Sequence, residues 1–344
     1  MINGIQHIGI GVTDRDKAFL FYNNALGFSV PMSRHSGNCK GVLPLIKKDE
    51  ERKVVIALNS HGGGLVEIFQ YTSKKPVPRP KEVDFSYNGC LFFGLKVKNV
   101  GKSLGIIERH GGKRVTEPSA FTPKAEAGWR TAMFLDTEGI QAMLLEYPES
   151  GMGHGNGGSR IGGVEYVGIG VSDIEDSVEF YTRVLEYDKI VYRTEGTYPE
   201  WDPLFGKGRF MKRALLRRSG NPEGIFRHFL HGGMIELIQV EGNTGKHNFD
   251  GRKWGDIGFM EVAFDVTDID ETLEEVARKG VSLAAPPYVQ DMGMNTKATF
   301  AYIRDPDGSL LEFADISRLP VPYFIIRLLV NPFAVGIAKK LNLL

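Results

Sequence analysis

Three glutamates lie in strand-like segments whose neighbouring residues are almost all apolar. Glu67 lies between Leu65 and Phe69 in LVEIFQY, Glu236 occupies the same position in MIELIQV, and Glu312 lies within SLLEFADI. Because an unpaired buried carboxylate is costly, such a residue protonates, finds a partner or binds a metal ion. Each glutamate by itself can also be a solvated residue on a sheet edge. Their recurrence at matching positions favours a shared chemical role.

A histidine is the second candidate for chemistry. The segment GIQHIGIGVTD (4–14) has a near copy, GVEYVGIGVSD (163–173), which carries Tyr166 where the first carries His7. Side chains alternate along a strand, so His7 shares one face with two glycines, and the other face is aliphatic. A polar residue followed by glycines leaves free space on its face, as a ligand cavity requires.

The near copies belong to an internal duplication that predicts the elements around these residues. Each first strand leads to an aspartate, Asp14 or Asp173, placed to cap an amphipathic helix. SHGGGLVEIFQY and LHGGMIELIQV then have the pattern of the closing halves of tight hairpins, with glycines at the turn. The second and fourth quarters of the chain also match, and each ends in an Asp-x-x-Gly turn and a strand. We therefore expect an α+β protein of four units, each a strand, a helix and three strands.

The units fall into two halves joined by a flexible Gly-rich linker. The predicted domains are residues 1–150, with units at 1–72 and 88–148, and residues 160–318, with units at 160–241 and 257–318. The insertion at 194–210, which contains Tyr198, Trp201 and Phe205, has no evident counterpart in the first half. It can line or cover a pocket, or pack on the surface.

An apolar tail, residues 319–344, follows the repeats. Pro332 breaks its apolar run and Arg327 interrupts it, so the tail is not expected to span a bilayer. Its apolar strip ends in two lysines and is compatible with peripheral contact with a membrane surface. Packing across a homodimer, or over the tail's own domain, is the alternative.

Composition excludes several classes of function. The 344 residues carry 42 Lys and Arg against 42 Asp and Glu, so no net field attracts nucleic acid. Two cysteines are too few for a disulfide framework, and their spacing is not that of a metal motif. The N-terminal segment lacks the pattern of a signal peptide, so cytoplasmic localisation and a small-molecule substrate are expected.

The fourfold pattern, the histidine in HIGIGV and the DPDGSLLEF ending resemble the vicinal oxygen chelate (VOC) superfamily, the glyoxalase/bleomycin resistance/extradiol dioxygenase family. The resemblance extends to about residue 318. It implies four βαβββ modules that form two half-open mixed β-barrels, with a divalent metal ion in a cup. In this family the metal ligands come from the first and last strands of each module.

On the family pattern, the modules supply unequal ligand sets. The first supplies His7 and Glu67, the second Phe92 and Met143, the third Tyr166 and Glu236, and the fourth Glu261 and Glu312. If the outer modules pair, one cup gathers His7, Glu67, Glu261 and Glu312. If neighbouring modules pair, the C-terminal cup gathers the alternative set Tyr166, Glu236, Glu261 and Glu312. The Gly-rich linker permits both pairings.

Either oxygen-rich set suits an open site for Mn, Fe, Ni, Zn or Mg. The resemblance implies a glyoxalase-type or epimerase-type lyase or isomerase, in which the metal stabilises an enediolate of a small oxygen-chelating substrate. Glu312 or Glu67 would act as the general base. A ring-cleaving dioxygenase is the alternative enzyme, although Glu261 stands where a histidine ligand is needed. A non-catalytic small-molecule binding protein is the third hypothesis.

Overall fold

The computed structural model of the chain describes residues 1–79, 86–148, 160–227, 229–293 and 296–316. The first module contains β1 (Ile2–Gly11), α1 (Arg15–Asn24), β2 (Val30–Asn38), α2 (Leu43–Ile46), β3 (Glu51–Leu58) and β4 (Leu65–Tyr71). The second contains β5 (Gly89–Val97), α3 (Val100–Arg109), β6 (Lys113–Arg114), β7 (Ser119–Ala120), β8 (Arg130–Leu135) and β9 (Gln141–Glu146). The third contains β10 (Ile161–Gly170), α4 (Ile174–Arg183), β11 (Lys189–Thr197), α5 (Asp202–Phe205), β12 (Phe210–Arg217) and β13 (Met234–Val240). The fourth contains β14 (Gly258–Val266), α6 (Ile269–Arg278), β15 (Leu283–Gly293), β16 (Thr296–Arg304) and β17 (Leu310–Ile316).

This order confirms the predicted α+β fold of four βαβββ modules. The helix caps are also as predicted, because the Asp14 side chain accepts hydrogen bonds from the backbone N–H groups at the start of α1. Asp173 does the same for α4. Ile8 and Ile10 on the aliphatic face of β1 are fully buried in the large core shared by the helices and both sheets. The opposite, concave face of each sheet is thereby left for a cup.

The strands form two curved mixed sheets. The first sheet has eight strands in the order β15-β16-β17-β14-β1-β4-β3-β2, and the second has the order β11-β12-β13-β10-β5-β9-β8-β6, with β7 beside β8. Within each module the first strand lies parallel to the last strand, as β1 does to β4 and β10 to β13. Modules are joined by antiparallel pairs of their first strands, β1 with β14 and β10 with β5.

This topology is the pairing of outer modules with each other. The first sheet combines modules one and four, and the second combines modules two and three. Contacts between modules one and two, and between three and four, include two matching hydrogen bonds. Tyr22 on α1 donates to Asp136 at 2.9 Å, and Tyr181 on α4 donates to Asp305 at 2.9 Å. The two aspartates belong to the predicted Asp-x-x-Gly turns, so each turn is fastened by a tyrosine of the neighbouring module.

Two local predictions differ from the structure. The β3–β4 connection at 59–64 is a tight turn, but β12 and β13 are joined by residues 218–233, which is too long for one. The insertion also has a counterpart, because the short helices at Pro199–Trp201 and α5 correspond to those at Lys40–Val42 and α2. The two copies have diverged so far in sequence that only their position between β2 and β3, or β11 and β12, reveals the match.

The apolar tail, residues 319–344, and most of the Gly-rich linker, 149–159, lie outside the described residues. The predicted contacts of the tail therefore remain predictions. In the part of the chain that the structure describes, no helix has the length and apolar character needed to cross a membrane.

Candidate metal centre

Four adjacent strands of the first sheet each carry one candidate ligand. Glu312 lies on β17, Glu261 on β14, His7 on β1 and Glu67 on β4, which is also their order across the sheet. His7 Nε2 lies 3.2 Å from Glu312 Oε2 and 3.6 Å from Glu67 Oε2. One ligand atom each of His7, Glu261 and Glu312 lies within 4.8 Å of the others. The fold therefore brings together side chains that are more than 300 residues apart in sequence.

A glycine makes room for the third carboxylate. Gly9, two residues after His7, lies where a Cβ atom would be 1.6 Å from Glu261 Oε1. Real Cβ atoms never approach an oxygen so closely, so any other residue at this position would displace the Glu261 side chain. The free space predicted on the His7 face of β1 is thus filled by a carboxylate from the neighbouring strand.

The histidine is oriented by a chain of hydrogen bonds. Gln6 donates through Nε2 to Asp265 Oδ1 at 3.0 Å, which leaves its Oε1 as the acceptor that lies 3.1 Å from His7 Nδ1. With Nδ1 carrying the proton, His7 Nε2 presents its lone pair to the carboxylates, as a metal ligand does. His7 Nε2 is buried and has no hydrogen-bond partner among the described residues.

The carboxylates differ in how firmly they are held. Glu312 accepts a hydrogen bond of 2.5 Å from the hydroxyl of Tyr302, and Glu261 accepts one from the indole N–H of Trp254. In the described chain, Glu67 accepts no such bond, and it is the most exposed of the four candidate ligands, at 9%. Glu67 is therefore the carboxylate that can move with least loss of contacts.

Burial and mutual repulsion perturb the ionisation of the cluster. Burial raises the pKa of Glu261 well above its usual value, and the charges of Glu312 and Glu67 raise it further. Burial also raises the pKa of Glu67, against the opposing effect of His7. For His7, burial lowers the pKa, but the nearby carboxylates of Glu312 and Glu67 outweigh this effect, so the pKa of His7 is raised above its usual value. A divalent cation between these groups would compensate the excess negative charge that causes the shifts.

An apolar pocket adjoins the cluster. Leu65, which pairs with His7 across β1 and β4, and Ile56, which pairs with Glu67, both line it, as does Gln6. The remaining lining residues are Met32, Ser33, Phe226, Met292, Thr296, Phe300 and Ile316. A ligand that reaches the carboxylates from this side would place a hydrocarbon part against mainly aliphatic and aromatic side chains.

The equivalent cup of the second sheet is built differently. Glu236 accepts hydrogen bonds from Tyr192 and from Arg213 Nε, both at 2.6 Å, and from Tyr166. Arg213 lies over the ring of Trp201, 3.8 Å from its centroid. The rest of the cup is packed with buried side chains, among them Phe92, Met143, Tyr198 and Phe205. Here the carboxylate is neutralised by an arginine, and the predicted pocket-lining insertion fills the cup.

The alternative ligand set is not brought together. Tyr166 and Glu236 belong to the second sheet, whereas Glu261 and Glu312 belong to the first. The physical reason is that β14 pairs with β1 rather than with β10. A C-terminal cup with those four residues therefore does not exist in this structure.

Sequence reasoning missed the residues that support the ligands. Tyr302 pairs with Glu312 across the β16–β17 hairpin, so the hairpin register was a usable signal. Trp254 lies in the connection before β14, and no pattern in the sequence marks it as a partner of Glu261. Side chains alternate along a strand, so Gln6 is expected on the face opposite His7. The pairing of β1 with β14 is irregular near this point, and the Gln6 side chain lies beside the imidazole.

Comparisons with known proteins agree with the fold. The model of the Glyoxalase/Bleomycin resistance protein/Dioxygenase superfamily matches residues 4–144 and 163–313. No curated protein matches the chain significantly. A glyoxalase I variant from Zea mays superposes with a TM-score of 0.57 at 18% identity, over 91% of this chain and 92% of that one. A proposed dioxygenase from Bacillus subtilis gives a TM-score of 0.57 at 16% identity, over 94% and 87%. At sequence identities of 18% and 16%, the similarity to these two structures shows a shared fold and does not assign their activities to this chain.

Proposed function

The chain belongs to the glyoxalase/bleomycin resistance protein/dioxygenase superfamily, and we propose that it is a metal-dependent enzyme of the glyoxalase or epimerase type. The observation that carries the proposal is the convergence of His7 with three buried carboxylates on adjacent strands of one sheet. Three buried acidic groups with so little compensating charge are costly unless they hold a cation.

The donor set fits a divalent metal ion. His7, Glu261 and Glu312 would hold it, with Glu67 beside them. One imidazole and several carboxylates suit an open five- or six-coordinate site for Mn, Fe, Ni, Zn or Mg. When bound, the cation would supply Lewis-acid stabilisation of the negative charge that develops on the vicinal oxygens of the substrate. The second cup offers no such site, because Arg213 already neutralises its carboxylate.

We assign the general base to Glu67. A base in this chemistry takes a proton from one carbon and returns it to the neighbouring carbon, so its carboxylate must be free to move. Glu67 has that freedom, whereas Tyr302 holds Glu312 and Trp254 holds Glu261.

The apolar pocket beside His7 supports a substrate with an apolar part. The substrate carries two adjacent oxygens at one end and a hydrocarbon body that packs against Leu65, Ile56 and Phe300. Closure of that body over the cup excludes water and strengthens the electrostatic interactions at the reacting carbons.

Metal content gives the first test. Purified protein reconstituted with Mn²⁺ or Zn²⁺ and then dialysed should retain about one ion per chain by elemental analysis. The variant Glu261→Gln should lose at least tenfold in metal affinity, since a ligand is removed. Glu241→Gln, an exposed glutamate outside the cup, is the matched control and should bind as the unaltered protein does. Absence of a bound ion after reconstitution would favour the non-catalytic binding protein.

Proton transfer gives the second test. In ²H₂O, with hemithioacetals and 2-substituted acyl thioesters as candidate substrates, mass spectrometry should detect deuterium at the carbon beside the carbonyl. Glu67→Gln should keep the metal and lose about 10²- to 10⁴-fold of this exchange, the usual contribution of a general base. Oxygen uptake with catechols, without proton exchange, would instead support the dioxygenase hypothesis.

A further inference from the structure

We propose that the second sheet carries a binding site for a small organic anion, separate from the candidate metal centre. A pocket of about 730 Å³, including its open mouth, lies between modules two and three. Its lining residues are Lys124, Ala127, Trp129, Tyr147, Lys189, Ile190, Val191, Arg217 and Met234. The lining contains three cationic side chains and no carboxylate, in a protein with equal numbers of acidic and basic residues.

Two of the cations face each other across neighbouring strands. Lys189 on β11 pairs directly with Arg217 on β12, and Arg217 pairs with Met234 on β13. Directly opposed residues share one face of a sheet, and like charges in that position destabilise the pair. No described acidic residue forms an ion pair with Lys189 or Arg217. An anion that lies between them would turn this repulsion into attraction.

The opposite wall of the pocket comes from module two. Lys124 supplies a third positive charge, without an ion-pair partner in the described chain. Trp129 is 5% exposed, and its indole nitrogen is buried without a hydrogen-bond partner among the described residues. A buried N–H group without a partner costs free energy, and an oxyanion would satisfy it. The wall thus offers a hydrogen-bond donor and an aromatic surface together.

Two acidic residues next to lining residues of the pocket are already engaged. Asp188, next to Lys189, accepts hydrogen bonds from the backbone and the hydroxyl of Ser219. Glu146, next to Tyr147, accepts one from the backbone of Val100. These carboxylates therefore leave the three cations of the pocket available to a ligand. This chemistry differs from that of the metal centre, where acidic groups require a cation.

The lining also determines what is attached to the anionic group. Trp129, Tyr147, Val191 and Met234 provide apolar and aromatic surface below the cations. The ligand that fits is a carboxylate or phosphate monoester with a compact apolar body. The two sheets of the duplicated fold would then bind different kinds of ligand, one through a metal cation held by carboxylates and the other through the three cationic side chains of this pocket.

Calorimetric titration with benzoate, benzamide and inorganic phosphate tests the site. Benzoate should bind, and benzamide, its neutral analogue, should not. The double variant Lys189→Gln, Arg217→Gln should bind benzoate at least about tenfold more weakly, since each charge-assisted hydrogen bond contributes about a factor of ten. Its melting temperature should be equal to or above that of the unaltered protein, because the opposed charges are removed. Trp129→Phe keeps the ring and should weaken binding by its lost N–H alone.

Lys207→Gln is the matched control, since Lys207 is an exposed lysine outside this pocket. It should leave benzoate binding unchanged. No binding of benzoate up to about 10 mM, equal binding of benzamide, or equal weakening by Lys207→Gln would overturn the proposal. Phosphate that competes with benzoate supports a phosphate ester as the natural ligand. Benzoate binding that phosphate leaves unaffected supports a carboxylate.

Discussion

Replacing Gly9 by alanine provides the sharpest test of the metal centre. The added Cβ would lie 1.6 Å from Glu261 Oε1 and 3.0 Å from the terminal methyl of Met260. The carboxylate would have to retreat by about 2 Å, whereas metal ligands tolerate displacements of about 0.2 Å. Glu261 would also lose its hydrogen bond to Trp254. We expect Gly9→Ala to lower metal affinity at least 10- to 100-fold, and stability by about 1–3 kcal/mol through overpacking.

Gly168 is the matched control, because it occupies the same position in β10 of the second sheet. A Cβ there would lie 2.3 Å from the ring of Phe92, and its three nearest neighbouring atoms all belong to that ring rather than to a carboxylate. Gly168→Ala should therefore cost similar stability, seen as a lower melting temperature, without changing metal affinity. Metal affinity can be measured for both variants by competition with a fluorescent chelator. If Gly9→Ala binds metal as tightly as the unaltered protein, Glu261 is not a ligand and the proposed centre is wrong.

Two further predictions concern single side chains. Tyr302→Phe removes the hydroxyl that donates to Glu312. The variant should bind the metal about 10- to 100-fold more weakly in a chelator competition assay, while its folding stability stays nearly constant. Unchanged metal affinity would contradict the role of Tyr302. Burial lowers the pKa of His247 to about 4, so the folded state disfavours its protonation, and stability present above pH 6.5 is lost as the pH falls towards 4. Denaturant unfolding should show that the free energy of unfolding falls by up to about 3 kcal/mol over this pH range because of His247. His247→Asn should abolish this pH dependence, while the amide oxygen of the asparagine still accepts the hydrogen bond from the Phe249 N–H. Parallel pH profiles of the two proteins would refute this role of His247.

The duplication explains why the two copies of the opening strand differ. His7 lies where the chain gathers Glu67, Glu261 and Glu312, and an imidazole there can act as a ligand. Tyr166 lies where Glu236 is held by Arg213, and a hydroxyl there donates to the carboxylate instead. One cup thus has acidic groups in excess, whereas the other is a packed, charge-balanced core.

The sequence alone determined the module architecture, because that depends on local patterns. These patterns act within a few residues and recur along the chain. They are the alternation of side chains in the strands of the four modules, the two capping residues Asp14 and Asp173, and the two Asp-x-x-Gly turns. Glycine after His7 likewise indicated space on one face of the strand. These signals were sufficient for the fold and for a short set of candidate residues.

Only the tertiary structure decided which candidates meet. The choice between β1–β14 and β1–β5 pairing depends on interactions between modules that lie far apart in the sequence, and the composition of the Gly-rich linker does not indicate which pairing forms. The same holds for Trp254, which reaches Glu261 from an irregular connection, and for Arg213, which neutralises Glu236. Long-range packing selects these contacts, since the free energy of the whole core, rather than the pattern of any one segment, sets the register of the sheets.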